Sequence, residues 1–264
     1  MLDLSMTQAV SLMSLDLPAF DEEAPWDVSR LSLPGSIPRL DREDLTREFQ
    51  SRIVSSEVRS QYWSEDWTPD FYRGQAKLGC IATSYDRGDQ VFLMPELQKS
   101  YAILDWHDVR ADRGVRKILA GDKPDVLNIS LEVSPDPMPA IAELRRAWGS
   151  ETWLTAPYVE LMAMLAGELG YTIGRTYTSL SGFFHRGRKC WNHFGKLQLH
   201  LLARYMERRG IRLWNLGHPY MDYKTRFGAR ITPRQEFIPR WNRESAGPAV
   251  DIAGRTASRD INPG

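Results

Sequence analysis

The C-terminal third of the chain alternates strand-like and helix-like patterns, and this alternation restricts its fold more than any other feature. Residues 171–184 are rich in β-branched and aromatic side chains, which favours a strand or hairpin. Residues 195–209 predict a helix that ends at Gly210, and residues 211–216 and 220–227 predict a strand and a second helix. The segment therefore predicts a domain that contains both helices and strands.

The residues before 171 also predict a mixture of helices and strands. Residues 40–63 predict a helix capped by Asp41, and residues 78–93 predict a hairpin. Further strands and helices are predicted in alternation, with strands at 101–105 and 126–133 and helices at 109–119, 139–148 and 157–169. Residues 1–38 predict a loosely ordered arm, and residues 244–264 predict a disordered tail because they lack apolar periodicity.

The net charge of zero is the sum of two oppositely charged segments. Lys and Arg number 34, and so do Asp and Glu. Residues 1–170 contain 17 basic and 28 acidic side chains, whereas residues 171–243 contain 15 basic and only 3 acidic ones. A segment this basic, which also holds four of the five histidines, favours an anionic partner.

Composition excludes several classes of protein. A hydrophobic content of 42% can form a core, which excludes wholesale disorder. Cys80 and Cys190 are too few for a disulfide framework and lack metal-ligand spacing. No apolar run approaches the roughly 18 residues of a membrane helix, and Asp3 lies where a signal peptide needs positive charge. We therefore expect a soluble, cytoplasmic protein that binds neither a membrane nor a metal ion.

One face of the helix predicted at 195–209 carries a row of basic side chains. They recur every four residues, as Lys196, His200, Arg204 and Arg208. An ordinary solvated helix face would also be basic, but it would usually mix in more acids than the single Glu207 found here. We call this row the cationic stripe and consider it a candidate surface for phosphate groups.

Basic and aromatic residues also alternate just before this helix, in the segment from Phe183 to Trp191. Arg186, Arg188 and Lys189 could neutralise phosphates, while the rings of Phe184 and Trp191 could stack on unpaired bases. A charged hairpin tip with core aromatic residues behind it fits the pattern equally well.

A single histidine follows the strand predicted at 211–216. His218 lies at the carboxyl end of that strand, where sites in α/β proteins are commonly built. A lone histidine is more often a structural residue, because one titratable group specifies no chemistry.

Several motifs between residues 150 and 241 are similar to those of one enzyme family. A T-W-L segment at 152–154 precedes a helix, and the strand around Ile173 to Tyr177 leads to the loop from Phe184 to Trp191. The closest correspondence is YKTRFGARITPRQEF, from Tyr223 to Phe237, with the family pattern H-x-x-S-L-G-A-x-x-I-P-R-x-x-F. In these motifs the chain resembles the leucyl/phenylalanyl-tRNA–protein transferases.

The resemblance implies an α+β fold. It implies an acyltransferase domain of the GNAT type, a mixed sheet flanked by helices, at residues 126–243, preceded by a smaller N-terminal α/β domain at 39–125. The chain departs from the family at its acidic and polar active-site positions. The loop glutamate of the family is Arg188 here, and the Asp and Gln of its D-x-Q strand are Asn215 and Gly217.

The activity implied by the resemblance is aminoacyl transfer from a charged tRNA to an amine, which forms a peptide or amide bond. Because the ester is already activated, positioning can supply much of the rate. Since the amine needs a proton acceptor and the oxyanion a donor, the candidate catalytic residues are Asn215 or His218 for the amine and Arg188 or Tyr177 for the oxyanion. Aromatic residues would hold the aminoacyl-adenosine end, namely Trp153, Phe184 and Trp191. Basic residues would bind the tRNA phosphates, namely Arg186, Lys189, Lys196, His200, Arg204 and Arg208.

The replaced acidic positions favour a small molecule or a peptidyl scaffold of specialised metabolism as acceptor, and no cofactor is expected. Three alternatives stay open at this point. The first is the family's own transfer to protein N-termini. The second is an acyl-CoA N-acyltransferase, although the basic segment lacks the usual pyrophosphate loop. The third is a non-catalytic tRNA-binding protein, which would fit the loss of the family's Glu, Asp and Gln.

Overall fold

The computed structural model describes most of the chain outside residues 1–36, 122–169 and 182–193. The described residues are 9–12, 37–56, 60–88, 90–121, 130–134, 138, 141–142, 144, 155–158, 170–181 and 194–257.

Within these residues the strands are β1 (Ala9–Leu12), β2 (Ser60–Gln61), β3 (Ile81–Asp86), β4 (Val91–Leu97), β5 (Ser100–Leu104), β6 (Ser130–Ser134), β7 (Gly170–Ile173), β8 (Thr176–Ser179), β9 (Leu213–Asn215), β10 (Arg230–Pro233) and β11 (Gly254–Ala257). The α-helices are α1 (Arg47–Val54), α2 (Pro69–Lys77), α3 (Arg113–Leu119), α4 (Phe194–Arg209), α5 (Asp222–Phe227) and α6 (Arg234–Ser245). Short 3-10 helices lie at Arg42–Asp44 and Trp106–Asp108.

A five-stranded mixed sheet is the centre of the fold. Its strand order is β10-β5-β9-β8-β7. The strands β8 and β9 are parallel, with α4 between them in the chain, and every other neighbouring pair is antiparallel. Helices flank this sheet, which confirms the expected α+β class.

Two smaller antiparallel sheets accompany the central one. Their strand orders are β2-β4-β3 and β1-β6-β11. The pairing of β3 with β4 confirms the hairpin predicted from residues 78–93. At its turn, the Asp86 carboxylate accepts a hydrogen bond from the Gly88 amide at 2.7 Å.

The two faces of the central sheet pack against different helices, because successive side chains of a strand point to opposite sides. Ala102, Leu104, Tyr177 and Trp214 belong to the hydrophobic cluster that contains the apolar side chains of α4. We call this side the α4 face. Tyr101, Ile103 and Leu213 belong to the cluster formed with α2 and α6, and this side is the α6 face.

The predicted helix at 40–63 was too long. The α-helix begins only after Thr46, whose hydroxyl accepts from the Phe49 amide, and it ends at Val54. Residues on either side have other partners, since Leu40 bonds to Trp63 and β2 pairs with β4. Sheet pairing has therefore overridden the local helix propensity at both ends.

Both predicted flexible termini contain residues that join a sheet. Strands β1 and β11 each pair with β6, one on either side. Ile252 is buried, and its carbonyl accepts from the Tyr205 hydroxyl at 3.0 Å. The expectation of a disordered tail therefore does not hold for residues 244–257, because α4 supplies an apolar surface and a polar partner for a segment without periodicity of its own.

Among the described residues, no helix is both long and apolar enough to cross a membrane.

Strand β5 comes from the segment predicted as an N-terminal domain, but it lies between β10 and β9 of the central sheet.

Arg234, at the start of α6, is buried without a carboxylate partner in the described part of the chain. Its guanidinium donates to four backbone carbonyls, those of Leu97 (2.6 Å), Gln98 (2.7 Å), Ile53 (2.8 Å) and Ser56 (3.3 Å). Desolvation lowers the pKa of Arg234 from its ordinary value. These hydrogen bonds join the end of α1, the end of β4 and the first turn of α6.

Gly228 ends α5 with φ at +119°, in the left-handed region. A Cβ at this position would lie 1.8 Å from the carbonyl oxygen of Asp108. Gly210 offers a matched comparison, since its φ is +89° and a Cβ there would meet nothing within 4 Å.

We expect Gly228→Ala to lower the free energy of unfolding by at least about 2 kcal/mol more than Gly210→Ala, because only Gly228 adds a collision to the backbone strain. Urea unfolding of both variants measures the difference. Equal losses would show that the Asp108 segment moves aside freely.

Candidate functional site

The site centres on the carboxyl end of β9, where the chain leaves the sheet. The parallel ladder of β8 and β9 covers three residue pairs and ends with Thr178 opposite Asn215. Asn215 is buried, and its Oδ1 accepts a hydrogen bond from the Gly217 amide at 2.9 Å. Gly217 has φ at +76°, so the chain turns here and presents His218 beyond the strand.

His218 lies beside a carboxylate that sequence reasoning missed. Its Nε2 is 4.0 Å from Oε2 of Glu96, and only 18% and 14% of the two side chains are exposed. Glu96 is the one charged residue in the apolar strand VFLMPEL of β4. That isolated charge was a usable signal for a functional carboxylate, but its pairing with a residue 122 positions away was not readable from sequence.

Lys224 fixes the loop that carries His218. Its Nζ donates to the carbonyls of Leu216 at 2.6 Å and His218 at 2.7 Å, and the side chain is buried. Burial lowers the pKa of Lys224 from 10.5 to about 8. The ammonium thus connects α5 to residues 216–218 and adds a positive charge next to the backbone of the loop that carries the histidine.

An exposed aromatic ring lies on the solvent side of His218. The Tyr220 ring stacks on the imidazole with centroids 5.8 Å apart and an interplanar angle of 19°. The residue is 81% exposed, and the neighbouring Met221 is 49% exposed. The histidine therefore has a carboxylate on one side and an accessible flat ring on another.

This arrangement is suited to proton transfer. A histidine that accepts a proton at one ring nitrogen is stabilised by a carboxylate near the other. A thiolate nucleophile is not offered by Cys80, because the residue is buried and burial raises the pKa of its thiol to about 12. Among the described residues, no group of three or more His, Cys, Asp or Glu could hold a metal ion.

Tyr177 does not join this site. Its side chain is fully buried on the α4 face, with its ring centroid 5.5 Å from that of Trp214. Asn215 follows Trp214 in β9 and therefore points to the α6 face. The predicted oxyanion donor and the predicted amine-positioning residue lie on opposite sides of the sheet, so Tyr177 is a core residue rather than a catalytic one.

The cationic stripe on α4 is only partly a free surface. His200 is buried with 5% exposure, which removes it from the candidate phosphate contacts. Lys196 forms a salt bridge with Asp112 at 2.6 Å, and Arg204 forms one with Glu207 at 3.1 Å. Arg208 is exposed. The acid opposite Lys196 comes from the start of α3, 84 residues earlier, so a search for acids along α4 could not find it.

Other basic residues of the segment are also paired with acids of the first half. Asp105 lies between Arg230 and Arg240, with oxygens 2.5 Å from Arg230 and 3.1 Å from Arg240. Burial raises the pKa of Asp105, but the hydrogen bonds from both arginines outweigh it, and the net pKa is below its ordinary value. Part of the basic charge is thus neutralised within the fold.

The remaining predicted site residues lie outside the described residues. They are Trp153, Phe184, Arg186, Arg188, Lys189 and Trp191.

Neither the models of known protein families nor the sequences of curated proteins give a match to this chain.

The buried Lys224 predicts a pH-dependent stability. Its pKa is about 8 in the folded state and 10.5 ordinarily, so between these values the unfolded chain binds more protons. Raising the pH from 8 to 10.5 therefore favours the folded state. We expect the unfolding free energy of the wild type to rise relative to Lys224→Met by up to roughly 3 kcal/mol across this range.

Chemical denaturation of both proteins at several pH values measures this difference. The control is Lys77→Met, which removes an exposed lysine. The unfolding free energy of this variant should change with pH in the same way as that of the wild type. A pH-independent gap between the wild type and Lys224→Met would contradict the desolvation of Lys224.

Proposed function

We propose that this protein is an aminoacyl-tRNA-dependent aminoacyltransferase in which His218, assisted by Glu96, accepts the proton of the attacking amine. The observation that carries the proposal is the 4.0 Å His218–Glu96 pair at the carboxyl end of β9. His218 lies within the segment whose motifs resemble the leucyl/phenylalanyl-tRNA–protein transferases, whereas Glu96 comes from β4, upstream of it. The pair offers a base where the family's acidic residues are replaced.

The topology around the pair is compatible with a GNAT-type acyltransferase domain. Two adjacent parallel strands, β8 and β9, are connected through α4 and are bordered by antiparallel strands. The candidate site lies at the carboxyl end of this parallel pair, the position at which open α/β sheets commonly bind ligands.

The proposed reaction is a direct aminolysis. The amine nitrogen attacks the carbonyl carbon of the aminoacyl ester, and a new C–N bond forms while the carbon–oxygen ester bond breaks. The imidazole of His218 accepts the amine proton, and the Glu96 carboxylate stabilises the resulting imidazolium. The same proton then passes to the departing ribose oxygen, so the products are an amide and free tRNA.

Tyr220 is suited to hold the terminal adenosine of the tRNA. Its ring is 81% exposed and lies directly against His218. Base stacking on an accessible aromatic ring contributes roughly 1–3 kcal/mol per base. A base held there would place the adjoining ribose ester near the histidine.

In this proposal fewer residues of α4 contact phosphate than the sequence predicts, because His200 is buried. Arg208 is exposed, and Lys196 and Arg204 would have to exchange Asp112 and Glu207 for phosphates. Since both pairs are surface salt bridges, that exchange costs little.

The acceptor is proposed to be a small amine or a peptidyl scaffold, and the reaction to take place in the cytoplasm.

The function is tested by incubating the protein with a full set of aminoacylated tRNAs and candidate amines, and by measuring amide formation. The proposal predicts turnover with at least one charged tRNA and none with acetyl-CoA. Turnover with acetyl-CoA alone would make the protein an acyl-CoA N-acyltransferase. Equal binding of charged and uncharged tRNA without any transfer would make it an RNA-binding protein.

We expect His218→Gln to lower kcat by about 10²–10⁴-fold, because it removes the proton acceptor. Glu96→Gln should lower kcat less and should change its pH profile, because the imidazolium loses its carboxylate. The matched control is His107→Gln, since His107 also lies near a carboxylate, with Nε2 3.5 Å from Asp108, but is 75% exposed. A kcat equally low in all three variants would overturn the assignment.

The stacking role of Tyr220 predicts a separate effect. We expect Tyr220→Ala to raise the KM for charged tRNA by about tenfold, and Tyr220→Phe to preserve it, because stacking requires the ring and not the hydroxyl. Steady-state kinetics of both variants check this. A loss shared by Tyr220→Phe would assign the role to the hydroxyl instead.

A further inference from the structure

A second basic region lies at the other end of the central sheet, by the turn between β7 and β8. It is a cleft of about 290 Å³ between α1, α2, this turn and the end of α6. Because the turn precedes β8, the cleft lies at the amino end of that strand, whereas His218 follows the carboxyl end of β9. It is therefore distinct from the site described above.

Among the described residues, three cationic side chains and no acidic one line the cleft. They are Arg47 from α1 and Arg73 and Lys77 from α2. Arg73 is paired with Asp70 on its own helix. Arg47 and Lys77 form no ion pair with any described residue, in contrast to the nearby Arg175, which pairs with Glu244 at 2.9 Å.

Neutral groups hold Arg47 in position. Its guanidinium donates to Oε1 of Gln50 at 3.0 Å and also to Oδ1 of Asn242. These two amides bond to each other across α1 and α6, at 2.9 and 3.1 Å. The arginine is thus oriented while its charge stays uncompensated, which leaves it able to bind an anion.

The wall opposite these cations is rigid. A Cβ on Gly174 would lie 2.5 Å from the Ser245 carbonyl oxygen and 2.7 Å from that of Glu244, and its φ is +58°. The turn is therefore pressed directly against the end of α6. This wall of the cleft is therefore formed by backbone in direct contact with backbone.

We propose that this cleft binds a phosphate group through Arg47 and Lys77, with Arg73 as a further cation in its lining. A phosphate offers several acceptor oxygens and up to two negative charges, which suits a fixed guanidinium and an ammonium that lack carboxylates. The group can belong to a small phosphate compound or to an RNA backbone. This site is independent of the aminoacyl transfer proposed for His218.

The experiment titrates the full-length protein with inorganic phosphate at low ionic strength and follows binding by calorimetry. We expect saturable binding that weakens roughly tenfold or more in Arg47→Gln/Lys77→Gln, since two charge-assisted contacts are lost. The single variant Lys77→Gln, at an exposed position, guards against misfolding and should weaken binding by a smaller factor.

The matched control is Arg116→Gln/Lys117→Gln, which removes the same two charges from exposed positions on α3. It should leave the phosphate affinity unchanged. An equal loss in both double variants, or no saturable binding by the wild type, would overturn the proposal.

A second titration with uncharged tRNA distinguishes the two sources of phosphate. If Arg47→Gln/Lys77→Gln loses affinity for both phosphate and tRNA, the cleft holds an RNA phosphate. If it loses affinity for phosphate alone, the cleft holds a small phosphate compound. Neither result depends on amide formation, so failure of the proposed transferase activity would not affect it.

Discussion

The buried guanidinium of Arg234 is the contact on which the rest of the structure depends. It bonds to carbonyls at the ends of α1 and β4 from the first turn of α6. A buried cation is tolerated when hydrogen bonds replace its hydration, and here backbone carbonyls do so without a carboxylate. Because β4 carries Glu96 and α6 packs on the face of the central sheet that includes Leu213 of β9, this arginine joins the strand of Glu96 to the helix that covers the strand leading to His218.

Part of the opposite charge of the two segments of the sequence is neutralised by ion pairs between them. Asp112 of the acidic half neutralises Lys196, and Asp105 neutralises Arg230 and Arg240. A charge split along a sequence therefore does not by itself define an external anionic partner. Among the described residues, cations that form no ion pair, such as Arg47 and Lys77, are better candidates for such a partner than the net charge of a segment.

The sequence predicted local elements well and spatial pairing poorly. The hairpin of β3 and β4, the helix α4 and the strand β9 follow from periodicity and turn residues, and His218 follows from its place after a strand. Glu96 could not be assigned to His218, because their approach depends on how separate sheets pack. Tyr177 was grouped with Asn215 although strand alternation, combined with the β8–β9 register, separates them. The clearest part of the family resemblance, from Tyr223 to Phe237, contains the structural residues Gly228 and Arg234.

The position of β5 inside the central sheet has a consequence for how the molecule forms. This strand pairs with β9 on one side and with β10 on the other, partners more than a hundred residues further along the chain. Folding rates fall as contacting residues become more distant in sequence. β5 can therefore take its native place only after β9 and β10 have been synthesised, so the central sheet that leads to His218 cannot form from the first half of the chain alone.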